Sequence, residues 1–165
     1  MPIEMKNKKN NQSEIKDENP FLLEEPAVAY NSRQGLGLQY FPYSDWDMLR
    51  VIKEGIPKKA FDKTMQMMDF SLNDMSDVLH ISERTLRRYD ENTVLSTEQS
   101  ERIVELNSLY RYGKEVFGSL AGFKQWVESP ILALGNKKPR EFLDTSIGIH
   151  ILKTILGRIE YGVYS

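Results

Sequence analysis

Two clusters of side chains in this 165-residue sequence are of types, and at spacings, that could do chemistry. The first is Ser82-Glu83-Arg84-Thr85-Leu86-Arg87-Arg88, where three guanidinium groups and two hydroxyls fall in one short window. Guanidinium groups grip guanine edges and phosphates bidentately, and hydroxyls hydrogen-bond to backbone or base. Ser82, Arg84, Thr85, Arg87 and Arg88 are therefore candidate DNA contacts. The second cluster closes the sequence, where Arg158-Ile159-Glu160-Tyr161-Gly162-Val163-Tyr164-Ser165 combines an Arg–Glu pair, two phenol rings and a free carboxylate. Chain ends are ordinarily polar and frayed, whereas this one carries groups suited to being held by something.

Catalysis is poorly supplied by comparison. His80 and His150 are far apart and read as a turn residue and a solvated helix residue. There is no cysteine, and no Gly-rich phosphate loop, HExxH or EF-hand spacing. Glu98, Glu101 and Glu105 share one side of a helix, as a solvated face does, and Asp74 and Asp77 read the same way. No catalytic residue, metal ligand or cofactor is assigned, and an enzyme is not expected.

The elements that must position the two clusters are helical. The terminal cluster extends a helix that Asp144 or Thr145 can cap. One apolar row is Ile147, Ile151, Ile155 and Ile159, and a second is Ile149, Leu152 and Leu156, with His150, Lys153 and Thr154 opposite. At ~100° per residue that arc spans roughly 200°, more than one neighbour needs, so part of it is expected to be kept for another chain. The arginine cluster lies on the second of two short helices. Ser71 can cap a helix carrying Leu72, Met75, Val78 and Leu79, His80-Ile81-Ser82 makes a tight turn, and Ser82 caps a helix from Glu83 to about Asp90 with Leu86 inward. That is a helix-turn-helix pattern, whose second helix would lie in the major groove.

Upstream, Ser44-Asp45-Trp46-Asp47 caps a helix with Trp46, Leu49 and Ile52 on one face, stopped by Gly55 and Pro57. The next helix turns Phe61, Met65 and Met68 inward. Downstream, Ser96 caps a long helix with Ile103, Leu106, Leu109, Tyr110 and Val116-Phe117 as its spine, ending at Gly118. Leu120 to Glu128 follows, then an apolar connection, and Pro139 starts a brief helix through Leu143. The resulting division is an irregular or disordered extension over 1–43, a helix-turn-helix unit over 44–92 and a helical unit over 95–165.

Composition narrows the classes further. A net charge of −2 and a pI near 5.8 exclude a uniformly basic nucleic-acid binder, leaving a local patch. Lys58 to Asp90 carries six basic and six acidic residues, so non-specific DNA affinity should be low and a dimer or complex needed. No run of about 18 apolar residues and no signal-peptide pattern occurs, and the protein is expected to be cytoplasmic with no membrane contact.

From Leu95 onward the chain resembles the antitoxin Xre/MbcA/ParS-type toxin-binding domain. The resemblance rests on Leu95-Ser96, Gln99-Ser100, Arg102, Val116-Phe117, Trp126, Pro130, Leu134-Gly135, Pro139, Leu143-Asp144-Thr145, Gly148 and the terminal Leu156-Gly157-Arg158-Ile159-Glu160-Tyr161-Gly162-Val163-Tyr164. From about Asp45 to Asp90, through Gly55-Ile56-Pro57, Ile81-Ser82 and Arg84-Thr85-Leu86, it resembles the Xre-like helix-turn-helix of the same antitoxins. Together these cover roughly three quarters of the chain. The resemblance implies an all-α antitoxin, a helix-turn-helix bundle followed by a small toxin-binding domain. It further implies a RES-domain toxin that attacks NAD as partner, hetero-oligomer formation with it, and autoregulation of an operator as a dimer or complex. Ile155, Arg158, Ile159, Glu160, Tyr161, Tyr164 and Ser165 are the candidate toxin contacts, with rings standing where nicotinamide or adenine would stack. The competing class is a stand-alone helix-turn-helix regulator whose C-terminal bundle only dimerises.

Overall fold

The computed structural model describes residues 44–162; the expected extension over 1–43 and the candidate contacts Tyr164 and Ser165 lie outside them. Among the described residues every regular element is helical. These are α1 Asp45–Glu54, α2 Lys58–Met68, α3 Leu72–Leu79, α4 Glu83–Arg88, α5 Thr97–Phe117, α6 Leu120–Val127 and α7 Ser146–Glu160, with 3-10 turns at Leu132–Leu134 and Pro139–Phe142. The fold is all-α, as expected.

Local chemistry sets most of the boundaries. Ser44, Ser71, Ser82, Ser96, Ser119 and Thr145 each accept a hydrogen bond from the backbone N–H three residues on, satisfying a donor the helix itself leaves unpaired. Each such cap contributes about 1 kcal/mol. α2 is the exception, entered from Pro57, whose fixed φ suits a helix start.

The core is built around α5. Ile103, Leu106, Leu109 and Tyr110 are fully buried along it, and α1, α6 and α7 pack on different sides of it. α6 packs closely because Gly113 has no side chain: a Cβ there would overlap the Phe123 ring. Phe123 meets Tyr110 edge-on at 5.0 Å and stacks on Trp126 at 5.6 Å. Burial pushes the Tyr110 hydroxyl well above the usual tyrosine range.

Two arginines fasten the helix-turn-helix to the C-terminal elements. Arg102 on α5 donates to the Val78 carbonyl at the end of α3 (3.4 Å), to the Leu143 carbonyl (3.1 Å), to Ser146 Oγ (3.0 Å) and to Glu105 (2.7 Å). Arg140 pairs with Asp74 at 2.6 Å and with Glu128, and lies 4.5 Å above the Phe70 ring. Burial works against both charges of the Arg140–Asp74 pair. The hydrogen bonds and opposite charges outweigh it, raising the arginine's pKa and lowering the aspartate's.

Three expectations need correction. In α1 the inward side chains are Met48, Val51 and Ile52, while Trp46 is 82% exposed and Leu49 also faces out. The Trp46/Leu49 row and the Met48/Val51 row have the same i, i+3 spacing, and the position of α5 chooses between them. α4 stops at Arg88, not near Asp90, because Asp90 Oδ1 accepts from the backbone of Asn92 (2.9 Å) and Thr93 (2.8 Å) in a turn that competes with the helix. Lys153, expected opposite the apolar arc of α7, is half-buried against α5, where it donates to Ser108 Oγ at 3.1 Å. Burial depresses its pKa, with Glu105 opposing and Arg111 adding to the effect.

Gly113→Ala is expected to cost on the order of 1–3 kcal/mol by overpacking the α5–α6 contact. Urea unfolding followed by tryptophan fluorescence measures it; an unchanged midpoint would mean that the two helices separate without penalty.

Candidate functional site

The arginine cluster is presented as a DNA-reading helix requires. α3 ends at His80, which takes the left-handed conformation (φ 54°) usually filled by glycine, and Ile81 is half-buried under the turn. Leu86 is buried and pins α4, so Arg84, Thr85, Arg87 and Arg88 are all exposed. They are not equally available. Arg87 is paired with Glu83 at 3.0 Å, and the Ser82 and Thr85 hydroxyls lie 2.9 Å apart and bond each other. Arg84 and Arg88, one turn apart on the same face, have no ion pair among the described residues.

The terminal helix is divided cleanly. Gly148, Ile149, Leu152 and Leu156 are buried, and a Cβ at Gly148 would strike the Phe142 carbonyl oxygen. The other apolar row faces outward at its start, where Ile147 is 71% exposed and Ile151 is exposed, while Ile155 is half-buried and Ile159 packs half-buried against the core. Arg158, Glu160 and Tyr161 are exposed, Tyr161 at 79%. Of the candidate terminal contacts, Ile155, Arg158, Ile159, Glu160 and Tyr161 thus share one helix end, with an isoleucine stripe leading to it.

Apart from Glu160, the groups holding that helix in place carry no local signature of a role. A polar seam joins α5 to α7 through Glu105 and Ser146 (3.0 Å), Ser108 and Lys153 (3.1 Å), and Tyr112 and Glu160 (2.6 Å). Glu105 therefore is no solvated-face carboxylate. The hydrogen bond to Glu160 pushes the Tyr112 hydroxyl up to about 12, helped by desolvation and the carboxylate's charge. These pairs span more than forty residues, and no local pattern announces them.

A cleft of about 700 Å³ opens between the helix-turn-helix and the Pro139–Asp144 segment, lined in part by Asp74, Asp77, His80, Arg140 and Asp144. Its arginine is already paired, and no cluster of three His, Asp or Glu side chains able to hold a metal occurs among the described residues. No described helix is long and apolar enough to cross a membrane.

Residues 47–108 match the antitoxin Xre-like helix-turn-helix domain, and residues 113–162 match the antitoxin Xre/MbcA/ParS C-terminal toxin-binding domain. The first match ends inside α5 and the second begins there. Antitoxin Xre of Photorhabdus laumondii subsp. laumondii is 29% identical over 128 residues, covering 76% of this chain and 86% of that protein. A protein of Sphingobium sp. (strain YBL2) named Prs ADP-ribosylating antitoxin is 28% identical over 148 residues, covering 80% and 93%. Antitoxin Xre of Yersinia enterocolitica is 32% identical over 80 residues, covering 48% and 54%.

The Tyr112–Glu160 bond needs the neutral phenol. Because the folded pKa is raised above the usual 10, its contribution is complete below pH ~10 and is lost as the pH climbs through about 12. Absorbance titration of tyrosinate should therefore contain a phase near pH 12 that Tyr112→Phe removes, ahead of the still later, buried Tyr110; a curve keeping the phase near pH 12 in the variant would assign it elsewhere.

Proposed function

The chain is an antitoxin of the Xre/MbcA/ParS family, and from that premise we propose that it silences a RES-domain toxin that attacks NAD by placing its C-terminal end in the toxin's cleft. The observation that carries this reading is the outward isoleucine row of α7 running into exposed Arg158 and Tyr161. Ile147 and Ile151 leave apolar area in water that a partner surface would cover, and such patches mark interaction sites. Beyond them, a ring and a charge of each sign suit a pocket built for a nucleotide: the phenol can stack where a base or nicotinamide stacks, and Arg158 and Glu160 can meet groups that bind ribose and phosphate. The name of the Sphingobium relative refers to ADP-ribosylation, a reaction that takes its ADP-ribose from NAD, which supports an NAD-consuming target.

The same chain is proposed to bind its own operator as a dimer, alone or in the toxin complex, in the bacterial cytoplasm. Arg84 and Arg88 carry the contacts, since they are the exposed arginines of α4 without an ion pair among the described residues. The balanced charge around them means that a single unit contributes little non-specific affinity, so two half-sites read together are required.

Affinity capture from host lysate with the full-length chain, and with a chain ending at Leu156, tests the first proposal. The full-length bait should recover an enzyme silent toward NAD, and the shortened bait should lose it or recover it active. Equal inhibition by both baits would move the inhibitory contact off the chain end. For the operator, Arg84→Ala with Arg88→Ala should weaken the gel shift and lower the salt-dependence slope by about 2 while leaving toxin inhibition intact. An unchanged shift would remove α4 from the DNA contact.

A further inference from the structure

The last turn of α7 is held differently from the rest of the helix. Up to Leu156 the helix is anchored by buried side chains. After it, Arg158, Glu160 and Tyr161 are exposed, Ile159 packs half-buried against the core, and the Tyr112 hydroxyl donates a 2.6 Å hydrogen bond to Glu160. The hydroxyl passes over Gly157, where a Cβ would sit in ordinary van der Waals contact with it at 3.4 Å. Tyr161 follows at once as the C-cap, its N–H returning to the Gly157 carbonyl at 3.1 Å, and Gly162 then turns the chain at φ 66°.

We propose that Tyr112 is a positioning residue for inhibition: by holding Glu160 it fixes the final turn of α7, so that Arg158 and Tyr161 are already in place for the toxin. This rests on the proposed role of the C-terminus and names the device that makes it effective. A frayed end would have to be ordered at the moment of docking, and that ordering subtracts from affinity; an end ordered in advance does not carry the same cost. Tyr112 itself touches no toxin atom in this scheme. Its effect passes entirely through Glu160.

The test has two readouts on the full-length chain. In the free protein, hydrogen exchange at the amides of residues 157–162 should accelerate in Tyr112→Phe while the amides of residues 149–156 keep their protection and the melting temperature is unchanged. Against the NAD-consuming enzyme captured as above, Tyr112→Phe should weaken inhibition roughly fivefold, the factor expected for one modest hydrogen bond. Glu160→Ala combined with Tyr112→Phe should be no weaker than Glu160→Ala alone, because the two act through one bond. Equal or tighter inhibition by Tyr112→Phe, or additive losses in the double variant, overturns the positioning role while leaving the C-terminal inhibition reading in place. Failure of the unsubstituted chain to inhibit any such enzyme overturns that reading and this inference with it; the exchange result then still reports whether the bond orders the helix end.

Discussion

Arg102 is the tie on which the relation between the two ends of the molecule depends. A guanidinium offers several donors in a rigid plane, and here they are spent on the last turn of α3, the Leu143 carbonyl, the first residue of α7 and Glu105 of its own helix. Its side chain is 13% exposed, so the carbonyls it satisfies are largely sheltered from water, where an unpaired acceptor is costly. The helix-turn-helix pair and the terminal helix are thereby referred to one point on α5. Arg140 adds a second bond between the same units through Asp74 and Phe70.

Close approach is the other constraint. Two glycines mark where a side chain would collide with its neighbours: Gly113 under the Phe123 ring and Gly148 against the Phe142 carbonyl. They let α6 and α7 seat on and beside the α5 core. Because α7 spends its Ile149, Leu152 and Leu156 row on this seating, its Ile147 and Ile151 row remains in solvent. That exposed apolar row is the surface on which the proposed toxin contact rests.

The electrostatic layout differs between the two ends. Around α4 the charges are balanced and Arg87 is paired with Glu83, so the proposed operator binding would rest on assembly rather than on a single copy. At the other end, charge and aromatic surface are concentrated within one helical turn. Coupling between them would run through α5, Arg102 and Arg140, a contiguous packed path.

The sequence by itself determined the all-α class, the helix starts, the helix-turn-helix and the existence of a surplus apolar row on α7. These follow from caps and from 3.6-residue periodicity, which act over a few neighbouring residues. The buried row through Leu86 and the exposure of Arg84 and Arg88 were legible for the same reason. Tertiary structure alone decided which of two equivalent rows turned inward, sending Met48 and Val51 to the core and Trp46 to solvent, and Ile149 and Leu152 inward with Ile147 outward. It also decided the roles of Arg102, Tyr112, Arg140 and Lys153. Their partners lie tens of residues away and meet them only after α5 has gathered the other helices, so no periodicity or spacing in the chain could carry that information.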